Sequence, residues 1–291
     1  MNHPIHHRRL GLGVFALALL TGLTWNHRVS GNDSTNVSAN QTTVQIADQS
    51  ITLPAPTLAE DLDADAQQRR ITPLLRGLSF KQFARDSVVA PVRIYLRYIT
   101  SDAGDRVGHD VHMIFIIHES LQTFSDQNIA NRLGGEAAED STEATAADVP
   151  AETLQRLGID DAGPDIRYRQ VDFELLDKIR LTGLLRIAQQ SSETQNRIDV
   201  SLVEAFDNRW QFTDGPDTNS SAGGGDYSGF QGWLTATSLD AMDAVFIEAR
   251  FVMHEPPQWF AGSNYVRSKL PLVLQEAARD LRRRLKKGDG G

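Results

Sequence analysis

The residues of this chain best equipped for chemistry are two His-Glu pairs, His118-Glu119 and His254-Glu255. Each stands near the end of a run that alternates like a β-strand. With His109 and His112 they supply imidazole and carboxylate groups of the kind that hold zinc or another divalent ion. A site on one strand is ruled out by reach: His112 and His118 share a face, but six residues of extended chain separate them by about 20 Å. Neither pair continues into His-Glu-x-x-His, because Gln122 and Gln258 occupy the last position. A metal shared by His118, Glu119, His254 and Glu255 requires strands 106–119 and 242–254 to be neighbours with matching ends. The alternative is a set of exposed histidines at strand ends.

Other chemistries leave fewer traces. The chain has no cysteine, which removes thiol nucleophiles, Cys-ligated zinc and disulfides. There is no Gly-x-Ser-x-Gly, and Ser268-Lys269 falls in a helical stretch where it reads as surface. The glycines of "AGGGDYSG" lack the Gly-Lys-Ser/Thr of a phosphate loop. The carboxylates Glu136, Glu139, Asp140, Asp160 and Asp161 lie in a polar stretch that solvent explains. No catalytic residue and no cofactor is assigned. A formal charge of −9 argues against nucleic acid as a partner. The basic end, Arg282-Arg283-Arg284 with Lys286 and Lys287, reads as a solvated helix terminus where cations complement the helix dipole.

The elements that must position these residues begin after a leader. Arg8-Arg9 followed by the apolar run Leu10 to Leu23 has the form of a signal peptide over residues 1–31, or of an uncleaved anchor that would keep the chain near a membrane. An exported protein is therefore expected. Residues 32–56, rich in Ser, Thr and Asn, read as a disordered linker; their three glycosylation sequons begin at Asn32, Asn36 and Asn40.

A single domain is expected over 57–291. Thr57 and Glu60 form a capping-box pattern for a first helix, and "SFKQFARDS" gives a second. Val92, Ile94, Leu96 and Tyr98 alternate as a strand; residues 106–119 form another, apolar on both faces. Residues 125–165 are acidic and Ala-rich, an insertion with one helix signal at Pro150. Strands resume at Ile166 and end with "AVFIEARFVM"; residues 213–229 read as a loop. Short connections favour an antiparallel sheet. In Arg180, Asp199, Glu248 and Arg250 the strands carry charges suited either to cross-strand pairs or to a polar cavity. Val266, Leu270, Leu274, Ala277, Leu281 and Leu285 then give a long closing helix one apolar stripe, interrupted at Pro271 by a kink or a restart.

This order, helices, then strands, then "EARFVMHEPPQWFAGSNYVRSKLPLVLQEAARDLRRRL", resembles the helix-grip architecture of START-like proteins, the group of polyketide cyclases and lipid-transfer domains. The resemblance spans residues 57–287 as an order of elements and is detailed only over the last forty or so. It implies an α+β fold: a curved antiparallel sheet gripped by the C-terminal helix, with an apolar or lipid-like small molecule enclosed between them. Trp259 and Phe260 would then stand at the cavity mouth, with Trp233 and Phe251 on or near its lining. The competing reading of the same aromatics is ordinary core. Three functions remain open at this point: a non-enzymatic carrier, an envelope module with a filled core, and a cyclase-like or metal-assisted enzyme.

Overall fold

The computed structural model describes residues 43–125, 144–160, 163, 165–213 and 223–288. The leader, the sequons, the first part of the linker and most of the acidic stretch lie outside them. The carboxylates Glu136, Glu139, Asp140 and Asp161 lie outside them too. Among the described residues no helix is long and apolar enough to cross a membrane.

The strands that alternate in sequence join one antiparallel sheet. From one edge it runs β3 (Arg93–Thr100), β4 (Arg106–Ile117), β12 (Val245–His254), β11 (Phe230–Ser238), β8 (Gln195–Leu202), β7 (Ile179–Ser191), β6 (Ile166–Leu175) and β5 (Ala144–Asp148). A short hairpin, β9 (Arg209–Phe212) and β10 (Gly224–Asp226), pairs with the start of β7. The edges β3 and β5 do not meet, so the sheet is open. A short helix, α3 (Leu121–Ser125), follows β4, and β5 belongs to the stretch expected to be an insertion between strands: its second half extends the sheet and then forms α4 (Ala151–Arg156), capped at Pro150.

One face of the sheet is covered by α5 (Tyr265–Gly288). Val266, Leu270, Val273, Leu274, Ala278, Leu281 and Leu285 are buried and meet Val111, Met113, Phe115 and Ile117 of β4 and Val245, Ile247 and Met253 of β12. The helix runs through Pro271 as one element, although that residue has no N–H to donate to the preceding turn. The helix-grip arrangement, an antiparallel sheet closed by its C-terminal helix, is thus present.

The other face is covered by N-terminal segments. α1 (Ala64–Ile71) and α2 (Phe80–Phe83) place Ile71 and Phe83 against Ile114, Ile116 and Phe246. This explains why β4 and the start of β12 are apolar on both faces. α2 is the second helix expected, and it carries a capping box that went unread, Ser79 with Gln82. The first helix departs from expectation: its N-cap is Asp63, whose carboxylate accepts from the Ala66 N–H at 2.7 Å. Thr57 caps nothing. Its N–H and hydroxyl both donate to Glu248 of β12, at 2.8 and 2.6 Å.

The linker expected through residue 56 also ends early. β1 (Thr43–Ile46) and β2 (Gln49–Thr52) form a hairpin whose Ile46 is fully buried. With Leu53 it packs on Ile99, Trp233 and Val252. Gly229, at φ +86°, lets the hairpin in, since a Cβ there would lie 2.6 Å from Ile46. Two buried apolar side chains within a polar run are enough to anchor it, a signal too sparse to register as a period.

The basic end of α5 is not wholly solvated. Arg283 pairs with Glu276 and Asp280, and Lys286 reaches Asp86 at 2.7 Å, all at the surface. Arg282 is 3% exposed. It falls on the apolar stripe, one residue after Leu281, and its guanidinium is spent on main-chain carbonyls.

Candidate functional site

Between α5 and the face of the sheet that it covers lies a cavity of about 90 Å³. That is several times what a single buried water occupies. Alternation along the strands builds its walls. Met113 and Phe115 come from β4, Ala249, Phe251 and Met253 from β12, Phe230 and Leu234 from β11. Ile198, Val200 and Leu202 of β8, Leu181 and Leu185 of β7, and Val171, Phe173 and Leu175 of β6 complete the sheet side. The helix contributes Leu274, Ala277 and Ala278. Two adjacent alanines, in a stripe whose other apolar members are valine and leucine, leave room between helix and sheet at this level, and the space beneath them is the cavity.

Glycines and one buried amide shape the floor. Gly232 lies against Phe251, whose Cβ would be 2.5 Å from any side chain there. Gly183 faces Asn208, with only 2.7 Å between an added Cβ and its Oδ1. Asn208 accepts from the Leu184 N–H at 3.0 Å and donates to the Val203 and Phe206 carbonyls at 2.8 and 3.1 Å. It thereby fixes the turn that closes the β8 end of the cavity.

The four aromatics proposed from sequence divide unequally. Phe251 lines the cavity, its ring 5.9 Å from that of Phe230. Trp233 borders it through the strand, but its indole packs with Ile46, Leu53 and Val252 beneath the N-terminal hairpin and donates to the Pro54 carbonyl at 2.9 Å. Trp259 is fully buried one layer behind the wall, stacked on the lining residue Tyr227 at 5.6 Å and edge-on to Trp210 at 5.9 Å. Phe260 follows it in a 3-10 turn (Trp259–Gly262), at φ +51°, and stacks on Tyr265 at 5.0 Å. Tyr227 was missed because it sits in a stretch that reads as loop by composition. Its hydroxyl donates weakly to the His254 carbonyl at 3.4 Å, and burial holds the phenol well above its ordinary range.

The His-Glu pairs do not converge. β4 and β12 are neighbours, but antiparallel: Val245 faces Ile117 and His254 faces Gly108. His118-Glu119 and His254-Glu255 therefore stand at opposite ends of the ladder, about 30 Å apart by strand rise. Among the described residues no cluster of three metal-ligating side chains occurs. His118 donates to the Ala84 carbonyl at 2.8 Å. His254 is largely buried, which pushes its imidazole down from the ordinary value, with the Ser228 backbone and Glu255 opposing.

Glutamate–histidine pairing takes a form not foreseen. Glu255 bonds His109, itself fully buried, and receives Arg106 at 2.8 Å. Glu248 bonds His112 at 2.7 Å on the face away from the cavity. The strand charges resolve as ion pairs: Arg180 on Asp172, Arg197 on Asp199, and Arg250 on Asp110.

Several solved structures are similar. A STAR-related lipid transfer protein from Xanthomonas axonopodis shares 13% identity over 69% of this chain and 97% of its own, with a TM-score of 0.40. Human StAR-related lipid transfer protein 5 shares 10% over 78% and 98%, also at 0.40. CalU16 from Micromonospora echinospora shares 10% over 66% and 96%, at 0.20. No family model matches the chain, and no curated protein is similar to it in sequence.

Proposed function

We propose that this chain is an exported, non-enzymatic domain that holds a hydrophobic or lipid-like small molecule between its sheet and α5. The observation that carries this reading is the cavity itself: an interior space walled by aliphatic and aromatic side chains, at the level where Ala277 and Ala278 replace the larger residues of the helix stripe. Ligand sites of proteins are of this kind, concave and mostly apolar. Export rests on Arg8-Arg9 and the apolar run behind them, which would also bring the domain near a membrane before cleavage or instead of it. An enzyme built on the four His-Glu residues loses its premise, because the pairs stand at opposite ends of one strand ladder.

Native mass spectrometry of the chain purified without detergent, with organic extraction of what co-purifies, tests the reading. A stoichiometric apolar adduct is the expected result, and the extract then names its class. A clean mass, unchanged after incubation with mixed lipids, would overturn the carrier and leave an envelope module with unused internal space.

A further inference from the structure

Resting on the cavity reading above, we infer that the cavity takes an uncharged molecule and rejects one that carries a full charge inside it. Among the described residues that line the space, four side chains carry polar atoms: Thr182, Tyr227, Trp233, whose indole N–H is given to the Pro54 carbonyl, and Arg250. None offers a free countercharge. The Arg250 guanidinium is turned to the far face of β12, where Nε and Nη2 grip the two oxygens of Asp110 at 3.1 and 2.7 Å. Asp110 also takes Arg97 at 2.9 Å, so both charges of that pair are engaged away from the interior. Glu248, two residues before Arg250 and on the same far face, spends its oxygens on Thr57 and His112.

The wall itself disfavours charge. Burial raises the pKa of the Tyr227 phenol, and the His254 ring stacked on it at 6.3 Å is itself held toward its neutral form by burial. Arg282, one helical turn beyond Ala278, points its donors at the Ile116 and Ala90 carbonyls. An ion entering this space would give up its hydration and find no partner, which is the costly case. A neutral molecule would give up little, and its apolar surface would gain what the walls gain.

Two dyes of one ring system separate the possibilities: N-phenylnaphthylamine, neutral in water near pH 7, and anilinonaphthalene sulfonate, which adds a permanent negative charge. Titrated fluorimetrically into the purified chain, the neutral dye is expected to saturate at one site, and the sulfonate to bind about tenfold or more weakly. Comparable affinities with mutual displacement would overturn the preference for neutral ligands and leave the cavity reading intact. Saturable binding of neither dye would overturn both. Ala278→Trp, which fills the space from the helix side, is expected to abolish the neutral dye's signal. Leu274→Phe serves the same purpose if the first variant does not melt cooperatively. Retention of the signal in a folded filled variant would place the dye elsewhere and overturn the inference.

Discussion

Arg282 donates twice to a single carbonyl, that of Ile116, with Nε at 3.0 Å and Nη2 at 2.9 Å. Nη1 reaches the Ala90 carbonyl at 2.7 Å, and the guanidinium lies 5.4 Å from the Phe115 ring centroid. The last turns of α5 are thereby tied both to the end of β4 and to the segment before β3. Burial pushes the guanidinium down to about 10, so it stays charged at neutral pH and the bonds remain charge-assisted. Arg282→Met keeps the apolar stem and strands the carbonyls. A loss of about 2–4 kcal/mol in urea unfolding is expected, with Arg282→Lys falling between. A Met variant as stable as the parent would show that the tie is dispensable.

Trp259 and Phe251, paired as ligand contacts in the sequence, should separate under mutation. Trp259 is fully buried between Tyr227 and Trp210, so Trp259→Ala is expected to cost about 3–5 kcal/mol whether or not a ligand is bound. Phe251 lines the cavity and is only partly buried, so Phe251→Ala should cost less stability and change ligand retention more. Denaturant midpoints measured beside the adduct mass distinguish the two. Equal losses of stability would place Phe251 in the core with Trp259.

The architecture was legible where one period ran long enough. The strand pattern of Val245, Ile247, Ala249, Phe251 and Met253 and the α5 stripe both face the core as read. What escaped was carried by contacts between residues far apart in the chain. Thr57 looked like a cap by its spacing to Glu60, yet it serves Glu248, 191 residues later. Arg282 looked like one of a solvated block, and only its position beside Leu281 on the stripe distinguished it. The cavity left a faint mark, the adjacent Ala277 and Ala278, which by periodicity alone are merely small core residues. The antiparallel register that parts the His-Glu pairs is a property of topology, and no local spacing encodes it.

His254 should shape the acid limb of stability. Burial lowers its folded value, so between that value and 6.5 the unfolded chain binds a proton that the native chain refuses. The unfolded state then holds more protons, and stability falls as pH drops through this window. From about pH 7 to about pH 5, the wild-type melting temperature is expected to fall more than that of His254→Gln. Parallel curves for the two proteins would show that His254 has no such coupling.

The N-terminal segment is held to the far face by one carboxylate, and this gives the last expectation. Glu248 is 2% exposed and takes the Thr57 N–H, the Thr57 hydroxyl and His112, so its charge is balanced by donors supplied from β4 and from a segment 191 residues away in sequence. Thr57→Val removes the hydroxyl while keeping shape and N–H, and a bond to a charged group of this kind is worth about 1.5–3 kcal/mol. Glu248→Gln keeps the shape but removes the charge and one of the two acceptor oxygens that the Thr57 N–H, the Thr57 hydroxyl and His112 share, and should cost at least as much. Because Trp233 holds Pro54 and the hairpin independently, amide exchange in 43–53 should change less than exchange at Thr57 and Leu58 in the Val variant. Uniform deprotection from Thr43 through Leu58 would instead mean that the hairpin and the Thr57 contact release together, with Glu248 as their common anchor.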